Sequence, residues 1–105
     1  YTLAQTEITA GNGATAADLL RELTRQMPGQ EHLWARLAEA EGMARNIVGV
    51  HRARAEYDAL MGDLESAQRQ LRQAQEKLPA GSPQRQAVTE RLAEITRQLQ
   101  VQRNS

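Results

Sequence analysis

The sequence predicts an all-α fold, and three observations carry that expectation. Ala, Leu, Glu, Gln and Arg dominate the 105 residues, and all are good helix formers. Apolar residues recur at helical spacing, with Leu64, Ala67, Leu71, Ala74 and Leu78 forming one stripe. Phe is absent, Val and Ile are scarce, and no stretch alternates with the period of two that a half-buried strand needs. Such a chain builds its core from thin helices in close approach, because Ala67 and Ala74 have almost no side chain to hold a neighbouring backbone away.

Taken in order, residues 1–10 read as a short helix with Leu3, Ala4 and Ile8 apolar, broken by Gly11-Asn12-Gly13. Thr15 then caps a second helix, with Asp18 three residues on in capping-box spacing. Its buried stripe is Ala16, Leu19, Leu20, Leu23 and Met27, and Pro28-Gly29 closes it. A third helix over 30–44 carries Leu33, Trp34, Leu37, Ala40 and Ala44, with Ala38 adjoining and Gly42 as a weak point. The corner falls at Arg45-Asn46. The fourth helix, 47–61, buries Val50, Ala53, Tyr57, Leu60 and Met61, although Gly49 and Arg54 interrupt that stripe. Gly62-Asp63 turns the chain into the fifth helix, 64–78, which stops before Pro79. Ser82 is a good N-cap for the last helix and Pro83 suits its first position. Val88, Leu92, Ile95 and Leu99 continue its stripe to about residue 102. Six helices joined by short corners must pack as antiparallel neighbours, an α-solenoid of three hairpins over approximately 1–28, 30–61 and 64–103 within a single domain, 1–105.

Charge and composition exclude several function classes. Lys plus Arg and Asp plus Glu each number 13, interspersed, so the basic stripe of a nucleic-acid binder is missing. No polybasic segment addresses a membrane surface, and no apolar run approaches the roughly 18 residues of a span. Without Cys there is no disulfide and no thiolate metal site, which fits either a reducing or an oxidising compartment. The chain opens on Tyr1 without Met, and the expectation is a piece of a longer protein.

An internal period links the helices. Leu3-Ala4 recurs as Leu37-Ala38 after 34 residues, Leu71 lies one further interval on, and Ala16 recurs as Val50. The order of Gly62-Asp63-Leu64, Ala67, Leu71, Ala74 and Pro79 resembles the turn and second helix of a tetratricopeptide (TPR) repeat, whose period is 34. Leu3, Ala4, Gly11, Ala16, Leu20 and Pro28 fit the same pattern of apolar-small, turn, small, large and proline, and Trp34, Leu37 and Ala38 open the next repeat. Two registers compete. Counted from Trp34, Arg54 sits where a large apolar residue belongs. Counted back from Gly62, Ala55, Gly62, Ala67, Leu71, Ala74 and Pro79 fall in place, with Asp58 where an aromatic is usual. The registers differ on which helices line the inner face.

A narrower resemblance joins Leu33-Trp34, Leu37-Ala38 and Ala40 to Arg54-Ala55-Glu56-Tyr57, Gly62-Asp63-Leu64-Glu65 and Ser82-Pro83-Gln84-Arg85. The combination is similar to the C-terminal TPR region of bacterial periplasmic zinc metalloproteases of the β-barrel assembly-enhancing protease type. That resemblance implies a periplasmic location, a role in outer-membrane protein quality control, and contact with the assembly machinery or its substrates. It covers the non-catalytic part alone, so zinc is expected only in a preceding peptidase domain and no cofactor is expected here. Alternatives are a free-standing TPR adaptor or assembly scaffold, which could also be cytoplasmic, and a structural module homodimerising through its last helix. That helix offers under three heptads, short for an independent coiled coil, so a monomer is favoured.

Catalysis is not expected of the chain itself. A zinc peptidase needs two His one helical turn apart, whereas His32 and His51 lie 19 residues apart on different helices. Ser66, Ser82 and Ser105 have no paired His and acid. The carboxylates read as solvated ion pairs on Arg-studded faces, as in Glu65–Arg69. Trp34 reads as packing between hairpins in preference to a partner anchor, and Tyr57 as packing with its hydroxyl at the surface. If Trp34 opens a hairpin, a protein-binding groove would be faced by Tyr1, Gln5, Ile8, His32, Glu39, Met43, Arg69, Gln73 and Lys77. That set lacks the Lys and Asn cluster that clamps a terminal carboxylate, so a segment of extended or helical protein is the expected ligand.

Overall fold

A computed structural model describes residues 12–104, and within them the chain forms five α-helices and no strand. These are α1 (Gly13–Gln26), α2 (Glu31–Met43), α3 (Ile47–Leu60), α4 (Leu64–Glu76) and α5 (Pro83–Arg103). The helix expected over 1–10, with Tyr1, Leu3, Ala4, Gln5 and Ile8, lies outside the described residues. The fold is all-α as expected. Each helix packs chiefly on the next: α1 on α2, α2 on α3, α3 on α4 and α4 on α5.

Helix α1 begins earlier than the capping pattern suggests. Asn12 is its N-cap, Thr15 lies within the first turn, and the Thr15–Asp18 box does not form. Asp18 instead accepts a hydrogen bond from Arg21 at 2.7 Å. The cause lies at Gly13, where a Cβ would stand 2.7 Å from the Met43 Cβ and 2.8 Å from the Ala44 nitrogen. Only glycine lets the start of α1 come this close to the end of α2. Ala16, Ala17 and Leu20 are fully buried, Leu19 and Leu23 flank them, and Met27 is the exposed C-cap instead of a stripe member.

Against these residues α2 sets Leu33, Leu37 and Ala40, flanked by Trp34 and Ala38. Trp34 is half-buried, and its indole Nε1 donates to the Pro28 carbonyl at 2.9 Å. The following corner puts Arg45 at φ 61°, a left-handed conformation unusual for a residue with a Cβ. Asn46, expected as part of the corner, is the N-cap of α3, and its side chain accepts from the Gly49 N–H at 3.2 Å.

Helix α3 departs most from expectation. Val50 and Ala53 are buried, but Tyr57 is only half-buried and Leu60 and Met61 are exposed. Ala55 is buried instead. Ala53 belongs to the core of α1 and α2, and Ala55 to the core of α4 and α5. Two residues along a helix turn about 200°, so α3 buries opposite faces and no single stripe can describe it.

The second core is aliphatic throughout. Leu64, Ala67, Leu71 and Ala74 of α4, with Leu78 just beyond it, pack on Val88, Ile95 and Leu99 of α5. Gly62 takes φ 86° at the preceding turn, and the Asp63 side chain caps α4 by accepting from the Ser66 N–H. Ser82 caps α5 by accepting from the Arg85 N–H at 3.1 Å, with Pro83 opening the helix as expected.

Candidate protein-binding groove

A groove of about 850 Å³ runs over α3, with α1 and α2 on one side and α4 and α5 on the other. Val48, Arg52 and Glu56 recur every four residues on α3, so they share one face, with Gly49 and Ala53 beside them. Trp34 supplies further apolar surface, the buried Leu37 and Leu71 lie behind it, and Arg21, Arg25, Gln84 and Arg91 stand along the sides.

Two arginine–carboxylate forks brace this groove. At one side Glu41 is almost fully buried, and Arg21 holds it bidentately, Nη2 to Oε1 at 2.7 Å and Nε to Oε2 at 3.1 Å. Asn46 Nδ2 donates to the same Oε1 at 3.3 Å. The carboxylate rests on Gly49, where a Cβ would overlap it. At the other side Arg91 grips Glu56 through Nε and Nη2, both at 2.8 Å, and so links α5 to α3 past the intervening α4. Hydrogen bonding to Glu41 raises the pKa of Arg21 above its ordinary value despite partial burial, and Glu56 does the same for Arg91. Both therefore remain cationic throughout the physiological range. Arg52 is exposed and makes no side-chain hydrogen bond or ion pair among the described residues.

The residues expected to face a groove lie elsewhere. His32, Glu39 and Met43 are exposed on α2, and Arg69, Gln73 and the α4 C-cap Lys77 are exposed along that helix. None of the six lines the groove over α3. Glu39 pairs with Arg36 at 3.0 Å. Tyr1, Gln5 and Ile8 fall outside the described residues. Of the repeat positions, Ala16, Leu20, Leu37, Ala67, Leu71 and Ala74 are buried, Trp34, Ala38 and Tyr57 are half-buried, and Pro79 is exposed.

Sequence reasoning missed Arg21, Glu41, Arg52 and Arg91. One signal was available for Glu41: it lies four residues after Leu37 and eight after Leu33, on a stripe that otherwise carries apolar side chains. The Arg54-Ala55-Glu56-Tyr57 motif acquires a physical account, because Ala55 enters the second core and Glu56 holds Arg91. His51 Nδ1 is hydrogen-bonded to Gln70 Oε1 at 2.7 Å, tying α3 to α4. Among the described residues no group of three or more His, Asp or Glu side chains could hold a metal ion. No described helix is long and apolar enough to cross a membrane. A scan against models of protein families finds no match for this chain, and neither does a search of curated proteins.

Proposed function

We propose that the chain is a non-catalytic protein-interaction domain of the TPR type, an α-solenoid that holds a segment of a partner protein in the groove over α3. The observation that carries this reading is the groove itself, lined from α1 to α5 and braced by two forks that fix its sides. Neighbour-on-neighbour packing supports a solenoid, since each repeat in such a stack touches only the adjacent ones. The groove favours the register counted back from Gly62, in which α3 and α4 form one hairpin and α1, α3 and α5 share the inner side.

The parent protein in this reading is a periplasmic zinc metalloprotease concerned with outer-membrane protein quality control, and the domain recruits the assembly machinery or its clients. Support for that narrower step is the sequence resemblance alone.

Photo-crosslinking residues placed at exposed positions test the interaction. Adducts with a protein partner from Arg25 and Gln84, and none from Gln73 or Lys77, are expected. Adducts from Gln73 and Lys77 alone would move the site to the outer side of α4. No adduct from any of the four would remove the interaction reading. A His-Glu-x-x-His motif encoded upstream of Tyr1 is the expected sign of the protease, and a coding sequence holding only further helical hairpins would remove it.

A further inference from the structure

The groove is polarised, although the chain as a whole carries no net charge. Four arginines and two glutamates line it. Both glutamates are consumed by side-on forks: Glu41 accepts from Arg21 and Asn46, and Glu56 accepts through both oxygens from Arg91. The charge of each glutamate is thus paired within the protein, and Arg91 Nη1 has a further, longer contact with Glu94 at 3.7 Å. Arg52, in the middle of the α3 face, has no partner among the described residues. Arg25 is paired with Glu22, and Arg21 with Asp18 as well as Glu41. An entering molecule thus meets Arg52 as the groove's uncompensated guanidinium, with Trp34 and Val48 as the accessible apolar surface beside it.

We propose that the groove takes an extended, acidic segment of a partner protein, with Arg52 as the central charge contact. The proposal rests on the protein-binding reading above and adds the chemistry of the ligand. A carboxylate side chain on such a segment reaches the Arg52 guanidinium, and its alternate apolar side chains pack against Val48 and Trp34. A basic segment would lose its hydration facing cations, and a neutral one would leave Arg52 uncompensated.

Three short peptides decide the matter, each alternating leucine with aspartate, asparagine or lysine, titrated into the isotope-labelled 105-residue chain and followed by amide NMR shifts. The aspartate peptide is expected to shift the Val48, Arg52 and Glu56 amides, more weakly as salt is raised. Arg52→Glu should weaken it by about tenfold or more, and Arg52→Lys by no more than about threefold. Arg54→Glu, also exposed on α3 but outside the groove, should change it by less than about twofold. Equal losses from the Arg52 and Arg54 reversals would reduce the effect to general electrostatics and overturn the proposal. Equal binding of the asparagine peptide would overturn the acidic preference and leave the groove as a protein site. Preferential binding of the lysine peptide would overturn the proposed polarity. Binding by none of the three would overturn the acidic ligand, while the cross-linking pattern independently decides the groove.

Discussion

Around Leu20, α1 and α2 close on a core that also buries Thr24 and Glu41, whereas around Leu71, α4 and α5 close on aliphatic side chains alone. In the first region a carboxylate joins three pieces of chain: Arg21 from α1, Glu41 from α2, and the Asn46–Gly49 start of α3. In the second, the alternation of Leu and Ala along α4 does the joining, and polar links such as Gln75 to Thr89 lie at the edge. Aliphatic packing scales with buried volume and tolerates small adjustments. A buried charge depends on its partners being in place. The two halves should therefore fail differently.

The largest effect is expected in the aliphatic half. Leu71→Ala removes a fully buried side chain between α4 and α5 and should cost about 3 kcal/mol in urea denaturation. Next comes the polar half, where Arg21→Ala leaves a buried carboxylate with the Asn46 amide as its one remaining donor. A loss of about 2 kcal/mol is expected. Arg103→Ala breaks an exposed pair with Glu65 and should cost less than about 0.5 kcal/mol. Equal losses from these two arginines would erase the distinction between the halves.

Two glycines sharpen it further. Gly49→Ala would push against the Glu41 carboxylate and should destabilise by about 1 kcal/mol, reversing the usual benefit of alanine in a helix. At Gly42 the nearest atom to a new Cβ is Val50 Cγ2 at 3.8 Å, an ordinary contact, so Gly42→Ala should stabilise by about 0.5 kcal/mol. The same sign at both sites would mean that Glu41 yields easily.

The forks also set a pH expectation. Arg21 and Arg91 have folded-state pKa values raised above the unfolded one, so their contribution is complete below the ordinary arginine value and is lost only as pH rises through the folded value. Between about pH 7 and 10 the penalty of Arg21→Ala should stay constant.

Helix α4 was legible in the sequence because its apolar residues fall on one stripe, and the start of α5 because its Ser82 cap is a local feature, although the capping by Asp63 was read only as a turn. Helix α3 was not, because a helix between two neighbours divides its burial and any one-stripe reading extends to Leu60 and Met61, which are exposed. Thr15 lost its capping role to a contact that local rules cannot see, the approach of Met43 to Gly13. The groove was the least legible part. Glu56 and Arg91 stand 35 residues apart, and periodicity gives no hint that they meet. Reading every carboxylate as a solvated pair also concealed Glu41, which is 3% exposed.

Because Ala53 and Ala55 lie on opposite sides of α3, neither core can melt without stripping one flank of the same helix. That shared helix couples the two halves into one cooperative transition, as nearest-neighbour coupling does in stacked repeats. A ligand seated over Arg52 rests on it too. Its binding energy would appear as added stability in both halves at once, so occupancy of the groove would be felt at Leu20 and at Leu99 alike.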